Sequence, residues 1–167
     1  PNVPVISINL SGLESNPGFK LTPSLIQHGL YALEFGDIFL RCLYRTRPYE
    51  AVKGSANALH EKWKKEVISF ITQDKLLSHR KFKQMCRQII RDFDNLDRVD
   101  VKKPRVGVVG EILVKFHPAA NNDLVGLLES EGAEAVVPDL TDFLLYCFYN
   151  TGFKADNLGF SKKSKRI

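Results

Sequence analysis

Three side chains in the C-terminal half of the chain have the types needed for acid–base or metal chemistry. Glu111 and His117 follow the apolar segment "RVGVVG", and Asp139 follows a second apolar segment, "EAVVP". A carboxylate and an imidazole could act as a general acid and base, or as oxygen and nitrogen ligands of a metal. Glu111 could instead pair with Lys115 or cap a helix, and Asp139 could cap the helix that follows it, so both interpretations stay open.

A second group of residues has the character of an anion site. Arg45, Arg47 and Tyr49 surround a proline turn at the end of a predicted helix, and guanidinium groups there suit a phosphate or a carboxylate. Asn121 and Asn122 open another predicted helix, whose N-terminus would favour an anion. The arginines could equally be solvated, and the asparagines could serve as helix caps.

The cysteines predict no metal site within this segment. Cys42, Cys86 and Cys147 show no CxxC spacing, and each falls inside an apolar helical pattern, where a cysteine behaves as a small hydrophobic side chain. Cys147 is the remaining candidate ligand. Three scattered cysteines are typical of a reducing, cytoplasmic setting. Nucleotide motifs are also missing, because "VGVVGE" has glycines only at 107 and 110 and no P-loop pattern occurs.

Composition excludes other classes of protein. The chain has 167 residues, of which 44% are hydrophobic and 26% charged, and this is typical of a globular domain with a core. Its net charge of +5 comes from segments that mix both signs at helical spacing, so we expect no nucleic-acid partner. No apolar run approaches the length of a membrane span, and we expect no membrane partner. The start at Pro1 and the basic end suggest a segment of a longer protein.

The elements that would position these residues form an α/β pattern. A strand is predicted at 3–10, helices at 22–47, 54–73 and 78–95, and a β-α-β-α unit at 104–150. Thr22 and Pro23 suit a helix start, and glycines predict a kink or a break near Phe35–Asp37. A right-handed crossover makes the strands of the unit parallel. We therefore predict one domain over 1–167, with at least three parallel strands, helices on both faces, and 22–95 as a mainly helical layer.

In such a sheet, ligands bind beyond the carboxyl ends of the strands. Glu111, His117 and Asp139 are then predicted to converge on one rim of the sheet, and this convergence is the condition for a site built from them.

Two stretches also resemble a known family. "KPRVGVVGEILVKFHPAANNDLVGLLESEGAEAVVPDLTDFLLYCFYN" and "ALEFGDIFLRCLYRTRPYE…GSAN" resemble the large 2-hydroxyacyl-CoA dehydratase activator-like proteins, which are related to the 2-hydroxyglutaryl-CoA dehydratase and benzoyl-CoA reductase subunits. The resemblance implies a flavodoxin-like or Rossmann-like fold and a cytoplasmic protein of anaerobic metabolism. Leu140, Thr141 and Asp142 stand where the related subunits carry a cluster-ligating cysteine. The resemblance implies a [4Fe-4S] cluster in the full-length protein. Because the ligating cysteine is missing here, we expect no cofactor bound by this segment.

The same resemblance implies a scaffold or docking role in the radical dehydration system. The partners it implies are the remainder of the polypeptide, an ATP-dependent activase domain and dehydratase-like subunits. One alternative is an enzyme domain that binds a CoA thioester or a small acid at the strand edge. Another is a non-catalytic interaction module that uses the turn at 45–49.

Overall fold

The computed structural model describes residues 22–73 and 75–157, so the predicted strand at 3–10 lies outside the described residues. Within these described residues, six helices, two strands and two short 3-10 turns follow one another. They are α1 (Pro23–Thr46), a turn at Arg47–Tyr49, α2 (Ser55–Ile71), α3 (His79–Asp94), β1 (Arg105–Gly107), α4 (Ile112–Phe116), a turn at Pro118–Ala120, α5 (Leu124–Ser130), β2 (Glu134–Val136) and α6 (Leu140–Asn157).

The predicted starts of α1 and α3 are confirmed. The Thr22 hydroxyl accepts the N–H of Leu25 at 3.1 Å, with Pro23 as the first helical residue, and the Ser78 hydroxyl caps α3 in the same way. The predicted break near residues 35–37 is wrong, because α1 runs unbroken past Gly36. A glycine costs a helix only about 1 kcal/mol, and burial of Phe35 along this stretch offsets that cost.

Helices α1, α2 and α3 pack into a three-helix bundle, as the predicted helical layer requires. Its core contains eleven buried hydrophobic residues, drawn from all three helices and from the link before α3. Phe35, Ile89 and Phe93 are the largest fully buried side chains, and Phe35 packs edge-to-face on Phe70 and Phe82. Periodic apolar positions such as Leu43, Val67 and Ile89 are thus buried in this core, whereas Leu25, Leu30, Ile68 and Ile90 of the same helices are exposed.

The prediction of a three-layer, mostly parallel sheet of the flavodoxin or Rossmann type is wrong. The described part of the chain contains a sheet of two strands, β1 and β2, of three residues each. Their parallel pairing, with Val106 opposite Ala135, confirms the crossover between them. The segment "RVGVVG" was predicted to be a strand buried on both faces, but all of β1 is exposed and only Val108, just after it, is buried.

Local sequence explains why β1 stops so early. Gly110 adopts a φ of +146°, a conformation that ends an extended segment and that other residues rarely adopt. Glu111 then caps α4, a short helix that apolar periodicity did not predict, by accepting the N–H of Val114 at 3.2 Å. The apolar residues of 112–116 therefore enter a helix instead of extending the strand.

The β1–α6 unit packs against one side of α1. Its own core has four buried residues, Val108, Val125, Ala135 and Val137, and the partly buried Leu40 and Tyr44 of α1 pack against them. The bundle thus supplies part of the second core. Within residues 22–73 and 75–157, no helix combines the length and apolar character that crossing a bilayer requires.

Candidate functional site

A cleft of about 560 Å³ opens where α1, the end of α3 and the start of α6 meet. The lining contains three arginines, five carboxylates, two threonines and Cys42. It also contains three apolar side chains, one from α1 and two from α3. The charged lining residues are Glu34, Asp37, Arg41, Arg45, Asp94, Arg98, Asp139 and Asp142. Because carboxylates outnumber guanidinium groups, the cleft does not favour a bound anion.

Asp37 holds the beginning of α6 from the middle of α1. Its two carboxylate oxygens accept the N–H groups of Leu140 and Thr141 at 3.0 and 2.8 Å. Helix starts have N–H groups without partners inside the helix, and a carboxylate there is stabilising. The expectation that the Asp139 side chain would cap this helix is therefore corrected, since the side-chain cap comes from another helix.

Asp139 instead forms an ion pair with Arg41. The Nε of Arg41 donates to Asp139 at 2.7 Å, and its Nη2 donates to Asp142 at 3.0 Å. The hydrogen bond to Asp139 raises the pKa of Arg41. Asp139 is buried, so this bond satisfies a carboxylate that would otherwise be costly to remove from water. Neither Asp37 nor Arg41 was among the candidate site residues predicted from the sequence.

The three predicted anion ligands in the turn at residues 45–49 have two different roles in the structure. Arg47 makes two hydrogen bonds to the carboxylate of Glu129, at 2.7 and 2.9 Å, and Tyr49 donates to the buried Glu134 at 2.8 Å. Burial alone would lower the pKa of Arg47, but the bonds to Glu129 raise it above its ordinary value. Arg45 is exposed and lines the cleft. Arg47 and Tyr49 therefore fasten the bundle to the β1–α6 unit.

The remaining acid–base candidates lie away from this cleft. Its lining includes Asp139 but neither Glu111 nor His117. Glu111 caps α4, which is one of the structural roles predicted for it. His117 is exposed between α4 and the next turn.

Asn121 serves the loop before α5, as predicted for a capping residue. Its side chain accepts the N–H of Leu124 at 3.1 Å and donates to the carbonyl of Val114 at 2.8 Å. Asn122 adopts a left-handed conformation, with a φ of 56°, which asparagine tolerates better than most residues. Both asparagines shape the loop, which accounts for their position without a ligand.

Thiol chemistry and metal binding find little support among the described residues. Burial raises the pKa values of Cys42 and Cys86 to about 11, so both thiols stay protonated near neutral pH. Cys147 is exposed on α6. Residues 22–73 and 75–157 contain no group of three or more histidine, cysteine or acidic side chains arranged to hold a metal ion.

The feature with the clearest functional character is the apolar surface of α6. Six large hydrophobic side chains project from this helix with between 39% and 75% of their surface exposed. They are Leu144, Leu145, Tyr146, Phe148, Tyr149 and Phe153, called here the α6 apolar surface. Their signal in the sequence is a helix that is apolar on most sides, a pattern expected of a helix with neighbours all around it.

Comparison of the chain with family models, with curated proteins and with solved structures gave no match.

Proposed function

We propose that this chain is a protein-docking module whose α6 apolar surface is covered by an α/β partner domain. The observation that carries the proposal is the exposure of six large hydrophobic side chains on one helix. Single exposed apolar residues are ordinary, but a concentration of them marks an interaction site. Four of the six are aromatic, and aromatic residues are enriched in protein interfaces. They are Tyr146, Phe148, Tyr149 and Phe153.

The small sheet supports an α/β partner in particular. Every residue of β1 is exposed, and Val109, which follows it, has 81% of its surface exposed. A two-stranded sheet is marginally stable alone, and an unpaired strand edge is a template for a further strand. A partner that adds a strand beside β1 would complete this sheet and would bury Val106 and Val109 at the same time.

The resemblance to dehydratase activator-like proteins supports a choice of partner. On this proposal, the partner is the remainder of the same polypeptide, an ATP-dependent activase domain or a dehydratase-like subunit, and the role of this chain is docking rather than catalysis. The contacts of the former catalytic candidates agree with that role, because Asp139 is neutralised by Arg41 and Glu111 is a helix cap.

A binding assay with defined proteins tests the proposal. Purified 2-hydroxyacyl-CoA dehydratase, and separately its activase, are passed under anaerobic conditions over the immobilised chain. We expect the double variant Leu145→Gln, Tyr149→Gln to bind at least about tenfold more weakly than the wild type, since side chains at the centre of an interface dominate its affinity. We also expect amide hydrogen exchange in residues 105–107 to slow when the complex forms.

The matched control is the double variant Val52→Gln, Ile68→Gln, which removes the same kind of exposed apolar surface near and on α2. It should bind like the wild type. Equal binding by the wild type and the α6 variant would refute docking through α6. Failure of the wild type to bind either protein would refute the assignment to the dehydratase system.

A further inference from the structure

A second surface, on the outer side of α3, carries charge of one sign. Arg80, Lys83, Arg87 and Arg91, together with His79 and two glutamines, line a shallow depression of about 600 Å³ that contains no carboxylate. The four cations are exposed, and they follow one another at intervals of three or four residues. They are called here the basic ridge.

Helix geometry turns this spacing into a straight row of charges. Residues three or four apart are neighbours on the same face of a helix, about 5–6 Å apart. Arg80 and Arg91 are eleven residues apart, so at a rise of 1.5 Å per residue the row extends over about 16 Å. The sequence did not reveal this row, because acidic residues occur near it along the chain but fall on other faces of the helix.

At its N-terminal end, the basic ridge opposes the local electrostatics of the helix. The first turn of α3 holds no acidic residue and contains His79, Arg80 and Lys81. The N-terminal end of a helix carries partial positive charge, so cations there destabilise the helix. Within residues 22–73 and 75–157, no carboxylate forms an ion pair with any cation of the ridge. Negative charge from a partner would remove this repulsion.

The neighbouring surface limits the width of that partner. Gln88 borders both the ridge and an adjacent groove, and that groove contains the carboxylates Glu66 and Asp92 as well as lysines. A broad polyanion such as a nucleic-acid duplex would meet these carboxylates beside the ridge. A strip of negative charge one helix wide would not.

We propose that the basic ridge binds an acidic helix of a partner protein, with one carboxylate per turn facing Arg80, Lys83, Arg87 and Arg91. Such a helix repeats its charges at the same interval as the ridge, and arginine forms paired hydrogen bonds with carboxylates. The two glutamines that line the same depression supply further hydrogen-bond donors between the four cations. The ridge shares no residue with the α6 apolar surface, so this inference stands independently of the function proposed above.

Fluorescence anisotropy at low salt tests the inference with a short labelled helical peptide that carries one glutamate per turn. Lys83→Gln, Arg87→Gln, Arg91→Gln removes three charges from the ridge of the full chain. Lys62→Gln, Lys64→Gln, Lys65→Gln removes three exposed charges from α2 and is the matched control. We expect the ridge variant to bind the peptide about tenfold more weakly or worse, and the control to change less than about threefold. Thermal unfolding verifies that each variant is folded.

The opposite results are equally specific. Equal losses in the two variants would show that net charge alone attracts the peptide, and would overturn the proposal. It would also fail if the wild type bound the peptide no better than a glutamine-substituted peptide. Tighter binding of single-stranded or duplex RNA of matched length, lost in the ridge variant, would assign the ridge to nucleic acid instead.

Discussion

The three-helix bundle and the β1–α6 unit use similar residues in opposite ways. The bundle buries eleven hydrophobic side chains in one core, whereas the β1–α6 unit buries four and depends on Leu40 and Tyr44 of α1 to complete its core. Large hydrophobic side chains of the second region, from Val106 to Phe153, are instead exposed on β1, α4, α5 and α6. Apolar sequence thus builds a closed core in one region and an open surface in the other.

The difference teaches that apolar pattern alone does not specify where burial occurs. In the bundle, each helix has one apolar face and meets its complement within the same chain. In the β1–α6 unit, α6 is apolar on several sides and β1 has an open edge, so the described chain alone does not cover them. We expect variants in the two regions to behave differently even when the substitution is the same.

The largest contrast is expected from phenylalanine removal. Phe35→Ala should lower the free energy of unfolding by about 3–5 kcal/mol, because it leaves a cavity in the bundle core. Phe148→Ala, the same substitution at an exposed position of α6, should change it by no more than about 0.5 kcal/mol. Urea unfolding measures both values, and similar losses would show that α6 is buried in the isolated chain.

Cysteine labelling sharpens the same comparison. A pKa raised from 9.0 to about 11 leaves Cys42 and Cys86 with about a hundredfold less thiolate than an ordinary cysteine. We therefore expect iodoacetamide to label the exposed Cys147 of α6 well before the two bundle cysteines, as followed by mass spectrometry of peptides. Faster labelling of Cys42 than of Cys147 would contradict the assigned burial.

The same pKa values give stability a dependence on alkaline pH. The folded-state pKa values of Cys42 and Cys86 lie above the unfolded value, so the unfolded chain loses these protons first. The contribution of the thiols is complete below pH 9 and is lost as the pH rises toward 11. A Cys42→Ser, Cys86→Ser variant should lose less stability than the wild type over that interval in unfolding measured by circular dichroism.

A smaller effect is expected where the two regions meet at α6. Asp37→Asn should lower the free energy of unfolding by about 1–3 kcal/mol. The amide has only one oxygen that can accept an N–H group, and its NH2 group cannot accept the second. Asp142→Asn, at an exposed carboxylate beside the same helix start, is the control and should cost less than about 0.5 kcal/mol. Equal effects would argue that Asp37 is not the cap of α6.

The smallest effect concerns the turn that joins the regions. Arg47→Gln removes the paired bonds to Glu129 and should cost about 1 kcal/mol, since both side chains are largely buried. Arg45→Gln, two residues earlier and exposed, should leave stability unchanged within error. If Arg45→Gln were the more damaging substitution, the assignment of Arg47 as the residue that joins the two regions would be wrong.

Local signals in the sequence were sufficient to predict most helices of the structure. Capping by Thr22 and Ser78, and the 3.6-residue periodicity of α2 and α3, act within a few residues, so reading along the chain captures them. The parallel pairing of β1 and β2 was also predictable, because two strands joined through a helix in a β-α-β unit normally run parallel.

Features that depend on distant contacts could not be predicted in this way. Whether "RVGVVG" is covered on both faces depends on neighbouring elements, and the structure leaves β1 exposed. Asp37 lies 103 residues before Leu140, the first residue that it caps, so no local motif connects them. The one available signal was an acidic residue between Phe35 and Phe39 on a face that the bundle buries.

The cap provided by Asp37 makes the first turn of α6 a pivot. The helix is fastened to the bundle near Leu140, toward the opposite end from the exposed Tyr149 and Phe153. Force applied at the far end of α6 would therefore act on a lever arm, and its torque would reach the middle of α1 through Asp37 and through the bond from Arg41 to Asp142. If α6 docks as proposed, partner binding and the rigidity of the bundle would be mechanically linked at these two side chains.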